Sequence, residues 1–391
     1  MKTVLWEWIT FGSRASNLTK TYPVKASIIL FLSAAAVGAE AAQAGKDWGI
    51  ERESYLDPVT GVRVMELTQG TNKADNLYFH FSNFAADNHY VIFVSDRTGS
   101  RQLFRSEVES GRIVQLTDDP AMNASSACPD HTNPRRLYCL RGHEVMALDI
   151  LDFSTRKVGE IPRPYTGGFQ QPTQSGDGKW LALGKQRDEA TWEIGLMNIE
   201  SGEYRTVLTQ GFRVTHVQHS PTSPVIFYVW ETGGYAPQRT WLVNTDGTGN
   251  RPLYANTAPT NWLTPLKEWV THESWVQNTG EMVMINDKLG VMLVQTNGSA
   301  RLIREGIYWH AAARPDGKLI VLDDSQGRLW LTETATGNTR LLATGLRATV
   351  RVHPHASFDR RGRYVQFHTG HTHETVALID LQELPAVSWR P

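Results

Sequence analysis

The chain has 391 residues, 40% of them hydrophobic and 20% charged, with 39 Lys and Arg against 40 Asp and Glu for a formal net charge of −1. That balance excludes an ordinary nucleic-acid binder, which carries a basic excess or a basic stripe. Thirteen Trp, 13 Phe and 12 Tyr supply core surface that a disordered chain lacks, and 32 Gly with 18 Pro predict many turns rather than long helices.

In chain order, Lys2, Arg14, Lys20 and Lys25 precede an apolar run at 28–37 (IILFLSAAAV), followed by GAEAAQA ending at Ala44. A basic region, a short apolar stretch and an A-x-A site make up a secretory leader. The run is shorter than the roughly 20 apolar residues that a bilayer span needs. The basic region is long and contains Glu7, which fits a true start downstream of Met1. Residues 1–44 are therefore expected to be removed, leaving a periplasmic or secreted chain with no membrane contact. Export would permit a Cys128–Cys139 disulfide; the other reading is two small buried hydrophobes on neighbouring strands.

From about residue 80 one pattern recurs: an apolar strand, a turn rich in Gly, Asp and Asn, a second strand, then G-x and a last strand. It opens copies at 86–118, 134–161, 177–209, 223–254, 280–303, 316–344 and 362–381, the last without its final strand. No stretch shows sustained helical periodicity. Repeats of four short strands predict an all-β fold, a seven-bladed β-propeller forming a single domain over residues 45–391, at about 50 residues per blade. The missing strand is expected from YLDPVTGVRVMELTQ (55–69), which would close the ring and leave no open sheet edge.

Histidines gather just before or on the first strands of the late blades: His216 and His219 (THVQHSP), His272 (THESW), His310 (YWHAAARPDG), and His353 with His355 (VHPHASF). First strands line a propeller's central channel, so these positions converge. Residues i and i+2 of an extended segment point the same way. Two such imidazoles plus His310 suit a divalent metal such as Mn, Fe, Ni or Zn. His216 and His219, each taken alone, read first as packed, hydrogen-bonded residues. HESWV lacks the second His of a metalloprotease helix, and His371 with His373 reads as a solvated hairpin. Arg239 and Arg351 could clamp a carboxylate or lie on the surface, the surface being the better reading for Arg351. The adjacent Asp323 and Asp324 should point to opposite faces, so they do not form the carboxylate pair of a glycosidase.

The blocks RTWLVNTDGTGNR (239–251), THESWVQNTGEMVMIND (271–287), HAAARPDGKLIVLDDS (310–325) and VHPHASFDRRGRYVQF (352–367) resemble the oligogalacturonate lyases, a polysaccharide lyase family built on a seven-bladed propeller. Weaker similarity runs back to residue 55. The resemblance implies pectin-fragment degradation by β-elimination, with Mn2+ held by three His and a Gln. Its His ligands would be His310, His353 and His355, its general base His272 and its substrate-activating arginine Arg239. Val350 stands where the family has its Gln ligand. His216 and Arg351 are further candidates for binding an acidic oligosaccharide, to a chain that is monomeric or weakly oligomeric and binds no nucleic acid. Two other readings share the fold: a non-catalytic periplasmic binding or scaffold propeller, and a lyase for another acidic polysaccharide such as a rhamnogalacturonan or ulvan fragment.

Overall fold

The computed structural model describes residues 43–391 apart from 71, 233–235, 256–268, 349–351, 369–373, 387–388 and 391. The expected leader (residues 1–44) thus falls almost wholly outside the described residues, as do Val350, Arg351, His371 and His373. No helix among the described residues is long and apolar enough to cross a membrane.

Seven antiparallel sheets follow one another along the chain. Blades 2 to 6 each have four strands in simple order. Their inner strands are Met122–Pro129, Thr173–Gln174, Val214–His219, Val270–Trp275 and Ala311–Ala313. Blade 1 starts from the inner strand Ala74–Asp75, and blade 7 from Ser357–Phe358. Blade 7 is closed as expected: Arg63–Glu66 pairs with Val376–Asp380, placing Met65 opposite Leu378 and Glu66 opposite Ala377. Two further strands were not expected. Glu53–Leu56 adds a fifth strand outside Arg63–Glu66, and Asp47–Ile50 adds one to the outer edge of blade 1, against Arg112–Gln115.

The strand sequences explain the packing. Successive side chains on a strand face opposite ways, and here both faces are covered by neighbouring blades. Ile92 and Val94 pack towards blade 2 with Leu137 and Leu148, whereas Val91 and Phe93 pack towards blade 7 with Val376 and Leu378. Phe227 meets blade 5 at Trp275 and Met284, while Ile226 and Tyr228 meet blade 3 at Ile194 and Ala182. Continuous apolar runs such as YVIFV and VIFYV are thus the signature of doubly covered strands. The seven hydrophobic clusters occupy the seven junctions between consecutive blades, including the one between blades 7 and 1.

Cys128 and Cys139 lie on adjacent strands of blade 2 as free, buried thiols. Burial pushes each thiol up to about 12, and Cys139 Sγ rests 3.0 Å from Met122 Sδ. The packing reading holds and the disulfide does not.

One segment departs from the propeller plan. The inner strand of blade 1 has only two residues, after which residues 76–84 (NLYFHFSNF) enter the channel. Leu77 N and Asn83 Oδ1 hydrogen-bond, and Asn83 Nδ2 donates to Tyr78 O (2.9 Å) and Phe81 O (3.1 Å). Gln171 Nε2 ties Leu77 O (3.1 Å) to Ala127 O (2.7 Å).

Candidate active site

Blades 4 and 5 repeat one local device. In V-T-H-V-Q-H (214–219) and V-T-H-E-S-W (270–275), pairing with the next strand runs normally to Thr215 and Thr271 and then sets two residues against one of the partner strand. Such a bulge bends the strand and re-aims a side chain. Here it places His216 at φ 50° and His272 at φ 53°, and His355 in blade 7 reaches φ 44°. Left-handed backbone at a non-glycine residue costs on the order of 1–3 kcal/mol and collects at functional sites.

The rings brought together form a connected group. His310 lies 4.2 Å from His272, 5.3 Å from His353 and 4.4 Å from His355 between ring centroids, and His353 and His355 are 5.7 Å apart. His310 Nδ1 meets both oxygens of buried Asp323 at 3.1 and 2.9 Å, and its backbone N–H donates to the same carboxylate at 2.7 Å. With Nδ1–H donated there, Nε2 is left as an acceptor. Burial lowers His272, His310 and His355 well below the ordinary imidazole value, and neighbouring imidazoles add to the shift. All three are therefore neutral near pH 7. His272 Nδ1 is buried without a hydrogen-bond partner.

Asp323 and Asp324 diverge as expected. Asp324 instead accepts from Arg328 Nε (2.6 Å) and Trp330 Nε1 (2.9 Å).

Arg239 is buried, which excludes the surface reading for it. Its Nε donates to Glu273 Oε1 at 2.7 Å and its Nη1 to Glu231 Oε2 at 3.2 Å. The other oxygen of Glu273 lies 3.2 Å from His216 Nδ1. Burial alone would raise the Glu273 carboxyl; Arg239 and His216 reverse this and hold it below the ordinary carboxylate range. Glu273 was missed in the sequence, although a carboxylate inside the run V-T-H-E-S-W is a signal, since a buried charge needs a partner. His219 is separate from this group: its Nδ1 contacts Ser220 O at 2.7 Å, which is its packed reading.

The channel segment was also missed. Phe79 lies 5.1 Å from His310 and 6.0 Å from His272, Tyr78 lies 4.8 Å from His355, and His80 lies 4.8 Å from His216. Asn76 Nδ2 donates to His355 O at 2.7 Å, while its Oδ1 faces His368 Nδ1 at 2.9 Å. The histidines thus stand against an aromatic wall.

Residue type, proximity and the Asp323 contact at His310 fit His310, His353 and His355 to a borderline divalent cation. Among the described residues, however, no three His, Cys, Asp or Glu donors converge as a formed metal site.

No family model matches the chain. A curated oligogalacturonate lyase of Dickeya dadantii (strain 3937) is 20% identical over 261 residues, covering 62% of this chain and 65% of that protein; the chain thus spans just under two thirds of its relative. The crystal structure of an oligogalacturonate lyase from Vibrio parahaemolyticus superposes with a TM-score of 0.77 at 18% identity, covering 87% of this chain and 99% of that one. An oligogalacturonate lyase in complex with manganese gives 0.78 at 19% identity, with 88% and 99% covered. The resemblance read from the late-blade motifs is therefore borne out: the chain is similar in sequence to oligogalacturonate lyase and has the same seven-bladed propeller.

Proposed function

We propose that the protein is a metal-assisted lyase that cleaves short oligogalacturonates or related uronic-acid oligosaccharides by β-elimination. The observation that carries this reading is the group of His310, His353 and His355 with His272 directly beside it. The similarity to oligogalacturonate lyases, one of them in complex with manganese, supports it.

Elimination across a 4-linked uronate needs removal of the C5 proton, which is α to a carboxylate and very weakly acidic. A divalent cation, Mn2+ in this reading, would be held by His310, His353 and His355 and would supply Lewis-acid neutralisation of that carboxylate. His272 is neutral, so in this reading its imidazole takes the C5 proton. Arg239 is fixed by Glu231 and Glu273, and its remaining donors hold the substrate carboxylate. His216, oriented by Glu273, contacts the sugar. As the C5 proton leaves, its bonding pair forms the C4–C5 double bond, the C4–O bond breaks and the departing oxygen takes a proton from solvent, giving an unsaturated uronate without net consumption of water. The leader predicts that this occurs outside the cytoplasm, in the periplasm or medium, after removal of residues 1–44.

The test follows the ultraviolet absorbance of the unsaturated product on digalacturonate and trigalacturonate, with Mn2+ and with EDTA. A metal-dependent rise is expected. No rise on these substrates, with a rise on rhamnogalacturonan or ulvan fragments, would move the reading to another acidic polysaccharide. No rise on any of them would overturn it.

A further inference from the structure

We infer that the far mouth of the channel is a second binding site, for a small polyhydroxylated carboxylate of single-sugar size. His216 and His272 lie near the beginnings of their inner strands. Past the ends of the same strands, two adjoining cavities of about 250 and 310 Å3 share Ser82, His131, Trp275, Gln277, Asn278 and Arg360 as walls. Residues 76–84 lie in the channel between this mouth and the imidazole group.

Three features of this wall call for a ligand. Arg360 donates Nε to Phe84 O and Nη2 to Pro129 O, each at 3.1 Å. Among the described residues no carboxylate hydrogen-bonds to it, Asp130 acting on it only as a nearby charge, and burial pulls its guanidinium down to about 10. A guanidinium has five N–H donors, so donors remain for an incoming anion. The neighbouring acids are committed elsewhere. Asp130 accepts from Arg136 Nε (2.9 Å) and Tyr138 OH (2.8 Å), and Asp359 from Asn88 Nδ2 (2.7 Å) and Tyr364 N (2.8 Å). Second, Gln218 Oε1 is buried without a hydrogen-bond partner, and so is His80 Nε2; both residues line the first cavity. An unsatisfied buried acceptor costs on the order of 1–3 kcal/mol, which a ligand hydroxyl would remove once a side-chain rotation turns the acceptor into the cavity. Third, the Trp275 indole, packed in the core between blades 4 and 5 and fixed by its N–H donation to Gln218 O (3.3 Å), presents an edge to both cavities beside these polar groups. A cation, a hydroxyl acceptor and an aromatic wall in a cavity of this size match a sugar acid better than a neutral sugar or a bare inorganic anion.

This inference does not depend on the lyase reading, and the experiment keeps the two apart. Calorimetric titrations of the Mn2+-loaded full chain with D-galacturonate, D-galactose and sulfate compare wild type with His310→Ala, Arg360→Met and Gln277→Trp. Gln277 is exposed, so a bulky side chain there fills the mouth without disturbing the core. Galacturonate is expected to bind wild type and His310→Ala alike. It should bind Arg360→Met about tenfold or more weakly at this site, as expected for loss of a charge-assisted pair, and Gln277→Trp should lose the binding that His310→Ala keeps; galactose should bind at least about tenfold more weakly than galacturonate. Binding lost in His310→Ala but kept in Gln277→Trp would overturn the inference, because only the imidazole site would then bind. Sulfate binding as well as galacturonate would overturn the sugar-acid class, and absence of binding to wild type would overturn the site. Should Arg360→Met fail to fold, Gln277→Trp decides.

Discussion

Blades 4 to 7 and blades 1 to 3 use the same four-strand plan to opposite ends. In the later half, inner strands or the residues just before them bring His216, His272, His310, His353 and His355 to the channel, three of them on left-handed backbone. The inner strands of the earlier half, Ala74–Asp75, Met122–Pro129 and Thr173–Gln174, carry no histidine, and blade 1 instead sends the chain itself into the channel. One half bears the channel histidines, three of them on strained backbone, and the other supplies the wall that packs against them. The difference shows how a repeated fold becomes asymmetric: bulges in some copies and one displaced segment suffice, with the interblade packing unchanged.

The sharpest way to break this division is His272→Ala. Turnover on trigalacturonate should fall by about 10²–10⁴-fold, the usual contribution of a general base, with bound Mn2+ unchanged by elemental analysis. A near-native rate would remove His272 from the chemistry. His355→Ala should do the converse, losing bound Mn2+ together with activity; retained stoichiometric metal would place the cation elsewhere.

The support of the reactive half can be probed through Glu273. Glu273→Gln removes the buried charge that Arg239 and His216 share, and breaking a buried pair costs about 3–5 kcal/mol. Chemical denaturation should show that loss, and a change under about 1 kcal/mol would mean the network is replaceable. In the wall, Phe79→Ala should cost about 3–5 kcal/mol, as for other buried aromatics, and should lower activity by loosening the packing against His310 and His272. A fully active, destabilised variant would make the wall structural only.

The smallest effect tests the joint between the amino-terminal strands of blade 7 and blade 6. Asp57 accepts from Val59 N (3.0 Å) and Thr60 N (2.8 Å) in its own turn and from Thr344 N (2.7 Å) in blade 6. Burial raises its carboxyl, and these hydrogen bonds more than reverse that and lower it. With the folded value below the unfolded one of about 3.9, the stabilisation is complete above that pH and is lost as pH falls through the folded value. Asp57→Asn should cost about 1 kcal/mol at pH 7 and flatten the acid limb of the denaturation profile. An unchanged limb would assign acid lability to other carboxylates.

The blades were legible because apolar strands and D-G or N-G turns repeat, and because a doubly covered strand leaves a continuous apolar run. The closing strand could be found by counting what the last copy lacked. The T-H motif at 215–216 and 271–272, with His310 and VHPH, exposed most of the candidate site. Glu273 escaped because its partners Arg239 and His216 come from blade 4, a proximity that exists only after the bulges form. The channel segment escaped for a different reason. L-Y-F-H-F alternates like a strand, and nothing local shows that its neighbours are imidazoles from four other blades. Asp47–Ile50 and Glu53–Leu56, short and flanked by charges, carry too little periodicity to announce themselves.

The seam at blade 7 also sets an order of events. The hydroxyls of Thr68 and Thr375 meet at 2.8 Å across 307 positions of sequence, close to the longest separation the ring allows. Such contacts carry the largest loop-closure entropy and form late. During synthesis the ring stays open until residues 376–380 have emerged, and the free edge of Arg63–Glu66 must wait for them. Once latched, the same remoteness works in reverse: the ring opens only when the Arg63–Glu66 strand parts from Val376–Asp380, and the seam is expected to show itself in the unfolding rate.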